Sequence, residues 1–106
     1  MIVGSYEGMF ILNPNLDGEL LEKEMDYIKN EIVKQLGEIS DAKILGKRHL
    51  AYSIKKMKEG IYLLINFACR PEVVDQLLKR LKLDTHVLRA AIFRKEPGSL
   101  FNEIKD

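Results

Sequence analysis

Lys55-Lys56-Met57-Lys58-Glu59-Gly60-Ile61-Tyr62-Leu63-Leu64-Ile65-Asn66-Phe67-Ala68-Cys69-Arg70-Pro71 carries three signals in one run. Lys55 to Gly60 is polar and ends in glycine, so it reads as a turn. Ile61 to Cys69 is the most apolar stretch of the chain and reads as a strand, with Ile61, Leu63, Ile65, Phe67 and Cys69 expected to face a core. Pro71 then suits the first turn of a helix, where its missing N–H is not needed. Turn, buried strand and helix start thus follow one another within seventeen residues.

Upstream of the turn, Ile39 to Ile54 has strand character, with Leu50, Tyr52 and Ile54 on one face. Downstream, Val74, Leu77, Leu78 and Leu81 recur at helical spacing. Val87 to Arg94 follows as a strand, and Glu96-Pro97-Gly98 opens a short tail to Asp106. At the front, Ile2 to Leu12 alternates, with Tyr6, Phe10 and Leu12 on one face and Glu7, Met9 and Ile11 on the other, until Asn13-Pro14-Asn15 ends the strand. A helix comes next, with Asp17 as N-cap and a stripe of Leu21, Met25, Ile28, Ile32 and Leu36. Gly37 suits the left-handed position that stops it.

The order βαββαβ predicts a ferredoxin-like α+β domain over residues 1–95: a four-stranded antiparallel sheet with two helices on one face. Residues 96–106 form the tail. A chain of 106 residues, 46% hydrophobic and 31% charged, is one ordinary globular domain. The single cysteine, Cys69, sits in an apolar run and reads as a small buried hydrophobe of a reducing compartment. The N-terminus lacks a signal-peptide pattern and no segment reaches the ~20 apolar residues of a membrane span. The expected location is the cytoplasm.

Charge is sorted along the chain although the formal net charge is only +1. Ala42 to Lys58 holds six basic residues (Lys43, Lys47, Arg48, Lys55, Lys56, Lys58) and no acidic ones. Asp17 to Glu31 has the opposite bias, with six acids against Lys23 and Lys29. A basic strand can neutralise phosphates while the rest stays near neutral; equally, edge lysines can simply discourage aggregation. The candidates for phosphate and sugar contact are Lys47, Arg48, Lys55 and Lys56, with His49 in the same motif and Arg89 and Arg94 from the last strand.

Two helices cover only one face of such a sheet. Alternation places Met9, Ile11, Tyr62, Leu64, Ala91 and Phe93 on the other face, with Glu7, Asn66 and Arg89. That is more apolar surface than a monomer leaves wet, so Met9, Ile11, Tyr62, Leu64 and Phe93 are candidates for a protein-partner surface. Homodimeric stacking of sheets is the alternative.

Six short motifs occur in order: Tyr6-Glu7 with Phe10-Ile11-Leu12-Asn13-Pro14, Gly46-Lys47-Arg48 with Leu50-Ala51-Tyr52, Glu59-Gly60, Asn66-Phe67, Leu83-Asp84 and Val87-Leu88-Arg89. Together they resemble the bacterial small-subunit ribosomal protein S-six family over nearly the whole chain. The resemblance implies the fold already reached, a structural role in the small ribosomal subunit, binding to the central domain of small-subunit rRNA, and pairing with ribosomal protein S-eighteen. It implies neither a membrane nor a small-molecule substrate nor a cofactor. Two positions depart from the family pattern: Leu45 stands where Trp is frequent, and Ser53 where Pro is common. Neither alters a charge.

Other classes fit less well. His49 and His86 are the only histidines; neither has a carboxylate or nucleophile at a spacing that suggests a catalytic pair, and no Gly-rich phosphate loop is present. No two ligand-type residues recur at zinc or calcium spacing, so no metal site is expected. Glu19, Glu22 and Asp26 with Lys23 and Lys29 read as a solvated helix face. A general RNA-binding domain would stack bases on sheet aromatics; Gly60-Ile61-Tyr62-Leu63-Leu64-Ile65 offers one aromatic on the open face and no arginine or lysine beside it. A ligand-sensing domain of the same fold remains as a further alternative, with nothing in the sequence marking a pocket.

Overall fold

The computed structural model describes residues 3–95; the proposed tail at 96–106 lies outside them. The elements run β1 (Gly4–Leu12), α1 (Gly18–Lys34), β2 (Glu38–Ile54), β3 (Met57–Cys69), a short 3-10 turn (Pro71–Val73), α2 (Val74–Lys82) and β4 (Val87–Lys95). The strands form one antiparallel sheet in the order β2-β3-β1-β4. This is the expected βαββαβ arrangement, with both helices on one face.

Register explains which side chains meet. Phe10 sits opposite Leu63 and Ala90, Leu12 opposite Ile61, and Tyr6 opposite Phe67. All seven are buried in the helix-side core, which Ile28 and Ile32 of α1 and Leu77 and Leu81 of α2 close from above. Each such large apolar side chain contributes about 1.5–3 kcal/mol on burial. Tyr6 and Phe67 stack with ring centroids 5.9 Å apart.

α1 and α2 are also joined by a part-buried ion pair, with Glu31 buried and Arg80 half-exposed. Arg80 Nε donates to Glu31 Oε1 at 2.8 Å, and Lys34 Nζ lies 3.5 Å from Glu31 Oε2. The Arg80 hydrogen bond outweighs desolvation and holds the Glu31 carboxyl below its ordinary value.

Three local expectations are corrected. The stop of α1 is made differently: Leu36, not Gly37, takes the left-handed conformation (φ 63°) and is exposed, so the stripe ends at Ile32. Gly37 is needed for close approach, since its N–H donates to Ile32 O at 3.0 Å and a Cβ there would meet Ile32 Cγ2 at 2.7 Å. Next, the turn expected over Lys55–Gly60 is only two residues long, because β3 already begins at Met57. Lys55 and Lys56 both adopt positive φ (50° and 70°), the turn whose twist matches a right-twisted hairpin, built without the usual Asn or Gly. The third keeps its position and loses only its bond: Asp17 is the N-cap of α1 as expected, but its side chain makes no capping hydrogen bond.

Candidate RNA and partner interface

β2 and β3 extend past the end of β1 as a long arm. Its far end bends toward β4, where Lys55 Nζ donates to Val87 O at 3.3 Å. There the Arg89 guanidinium lies 5.9 Å from the Tyr52 ring centroid, and Arg89 also reaches the Tyr52 hydroxyl at 3.4 Å. β2 and β4 are opposite edges of the sheet, so the arm's curl is what brings residues 52–55 to Arg89. It also covers part of the open face. Ile11 belongs to that face by register, opposite Tyr62 and Arg89, yet it is only 5% exposed. A Cβ on Gly60 would meet Ile11 Cγ2 at 2.3 Å and Leu50 Cδ2 at 3.7 Å, so the arm closes directly over Ile11. Ile11 is therefore a sealed contact inside the chain and not the available partner residue the alternation suggested.

The expected basic residues divide into groups. Lys55 and Arg89 line a shared cleft of about 270 Å3 together with Lys82 and the residues Val87, Leu88 and Ala90; no carboxylate lines it. Arg48 pairs in register with Gly60 and Lys47 with Ile61 along the arm, and Lys47, Arg48 and Lys56 are all exposed. His49 Nε2 lies 3.7 Å from Glu59 Oε2, with His49 in solvent and Glu59 partly so; the Glu59 carboxylate offsets part of the arm's positive charge, and the exposed contact contributes little else. Arg94 is not brought to this cluster. It pairs with Tyr6 on the opposite side of the sheet, its guanidinium 6.0 Å from that ring centroid.

Two contributors were missed in the sequence reading. Lys82 belongs to the run Lys79, Arg80, Lys82 in the last turn of α2, a charge signal at a helix C-terminus. Tyr52 had been assigned only to a strand face. Its link to Arg89 depends on the curl of the arm, which periodicity does not encode.

The other half of the open face keeps its apolar surface. Met9 pairs with Leu64 and Ala91, and Glu7 with Asn66 and Phe93. Met9, Leu64, Tyr62 and Ala91 are half-buried and Phe93 is 53% exposed. Lys95 Nζ donates to Asn66 Oδ1 at 2.8 Å across the strand between them. A band of five apolar side chains thus adjoins the basic arm. No helix among the described residues is long and apolar enough to cross a membrane.

Comparison with known proteins decides what this arrangement belongs to. Residues 5–94 match the family described as Ribosomal protein S6. The chain belongs to the ribosomal protein S-six family. It is 40% identical over 92 residues to the small ribosomal subunit protein bS6 of Caldanaerobacter subterraneus, covering 87% of this chain and 97% of that one. It is 36% identical over 91 residues to the bS6 protein of Carboxydothermus hydrogenoformans, covering 86% and 95%. The crystal structure of 30S ribosomal protein S6 from Thermotoga maritima superposes with a TM-score of 0.81 at 32% identity, covering 89% of each chain. This S-six protein is accordingly a structural component of the small subunit of the cytoplasmic bacterial ribosome, and its relatives are not enzymes.

Proposed function

We propose that this S-six protein binds the central domain of small-subunit rRNA jointly with ribosomal protein S-eighteen. The observation that carries the reading is adjacency: a carboxylate-free cleft of Lys55, Lys82 and Arg89 lies beside an apolar band of Met9, Tyr62, Leu64, Ala91 and Phe93. The cleft, with exposed Lys47, Arg48 and Lys56 along the arm, suits phosphate and sugar contact. The band suits a protein partner, since half-buried apolar residues at the centre of a sheet gain most from exclusion of water. A net charge of +1 gives the chain alone little general attraction for RNA, so a partner that adds basic surface is part of the reading.

The test is quantitative binding of a central-domain rRNA fragment by this chain alone, by S-eighteen alone and by both, over a range of salt. Joint binding with a log–log salt slope of about −0.7 to −0.9 per phosphate contacted is expected, flattened when Lys55 and Arg89 are replaced by Ala. Tight, specific binding by the isolated chain would remove the need for S-eighteen. An unchanged slope in the variant would remove the cleft from the interface.

A further inference from the structure

We propose that Glu24, Asp84 and His86 form a binding site for one divalent transition-metal ion of the zinc class, clipping α1 to the turn between α2 and β4. Sequence spacing gave no hint of it, because Glu24 lies sixty residues from Asp84 and sixty-two from His86. The fold closes that gap. His86 Nδ1 lies 3.2 Å from Glu24 Oε1 and 3.6 Å from Asp84 Oδ1, and one ligand atom from each of the three residues falls within a 4.8 Å cluster. Zinc bonds of roughly 2.0–2.1 Å in a tetrahedron separate ligands by about 3.3–3.4 Å. The two His86 distances are already close to that spacing, and the cluster as a whole, within 4.8 Å, has to draw in by up to about 1.4 Å to close around an ion.

An independent observation points to a ligand. The Glu24 side chain is 7% exposed, and its Oε2, like Asp84 Oδ2, is buried without a hydrogen-bond donor. Two buried carboxyl oxygens in one cluster, neither with a donor, need either a proton or a cation. The nearby cation of α2 does not serve, since Arg80 is committed to Glu31 at 2.8 Å. A dication held by one oxygen of each carboxylate would compensate the charge of both groups. The donor set selects its class. One imidazole with two carboxylates suits zinc, cobalt or manganese, whereas calcium and magnesium prefer all-oxygen shells. The open side of His86 leaves room for water as a further ligand, as the chemistry of a three-ligand site requires.

The experiment titrates the purified full-length chain with cobalt(II), followed by visible absorption, and with zinc(II), followed by calorimetry and thermal melting. One saturable equivalent is expected, with Tm rising as zinc is added and affinity falling at least about tenfold in both Glu24→Gln and His86→Gln. Glu24→Gln retains a donor toward Asp84 and should fold as the protonated acid does; should it fail to fold, the half-exposed His86→Gln decides alone. Absence of saturable cobalt or zinc binding by the wild-type chain would overturn the site and leave a shared proton as the whole account. Binding that survives both substitutions would place the ion elsewhere and overturn it equally. The test involves neither RNA nor S-eighteen, so its outcome is independent of the interface described above.

Discussion

The two faces of β3 have the same kind of sequence and opposite fates. Ile61, Leu63, Ile65, Phe67 and Cys69 point one way and are all buried, with Leu63 and Ile65 at 0% exposure. Tyr62, Leu64, Asn66 and Ala68 point the other way and stay half-exposed. The open set is only slightly more polar, through Asn66 and the Tyr62 hydroxyl; the larger difference is that helices cover one face and only the curled arm covers part of the other. A strand apolar on both faces is ordinarily one buried on both faces. Here the second face stays open over most of its length, and is closed by the chain itself only around Ile11.

The sharpest way to break this comparison is to place a charge on each face. Leu63→Asp puts an unpaired carboxylate in the core and should cost about 5 kcal/mol or more, comparable with the whole stability of a small domain. Chemical denaturation would show it as loss of the folded baseline. If Leu63→Asp folded normally, the face assignment would be inverted.

A cavity test follows for the closed end of the open face. Ile11→Ala should destabilise by about 2–4 kcal/mol, the range of a buried isoleucine truncation and not of a surface one. A change below about 0.5 kcal/mol would mean that the arm lifts away from Ile11 in solution.

The ion pair over the helical face gives a smaller effect with a distinctive pH signature. The Glu31 carboxyl is held below its ordinary value in the folded chain, mainly by Arg80. Its contribution is therefore present above the unfolded carboxyl's pKa and is lost as pH falls through the lower folded value. Arg80→Met should lower Tm by a few degrees at neutral pH, and the gap to wild type should close in acid. A gap that stayed constant into acid would remove the ion pair as its cause.

The mildest effect on folding is expected from Leu64→Asp, within about 1 kcal/mol because the residue is already half-exposed. Its effect should appear instead in partner binding, as a loss of about tenfold or more in affinity for S-eighteen. Measured beside Leu63→Asp, it separates the face that holds the domain together from the face proposed to meet S-eighteen.

The fold was legible because its largest signals are periodic. The alternation in β1 and β3 and the stripe of Leu77 and Leu81 each specify a buried side, and together they leave one way to layer the elements. The candidate site was only partly legible. Arg89 and Lys55 were named as basic residues, but their meeting depends on the bend of a long arm. That bend follows a Lys55-Lys56 turn whose left-handed conformation neither residue type advertises. Arg94 was grouped with Arg89 although five residues apart on a strand puts them on opposite faces, a consequence of period two that the charge pattern obscured. Leu36 completed a helical stripe by spacing alone, yet α1 ends before it. Glu24 reaches Asp84 and His86 only through tertiary packing, beyond the range of any local spacing rule.

The strand order also has a consequence in time. β1 is made first, yet it lies in the interior of the sheet between β3 and β4. Its β3 partner ends at Cys69 and its β4 partner at Lys95. At a bacterial synthesis rate of ~5–20 residues per second, β1 waits roughly 4–17 s from its own completion to that of its last neighbour. Until Cys69 is made, an apolar strand with two open edges hangs from the ribosome that made it, guarded only by α1; β3 then covers one edge, and the other stays open until β4 is complete. For a protein whose destination is another ribosome, the most vulnerable moment of its life falls before release from the first.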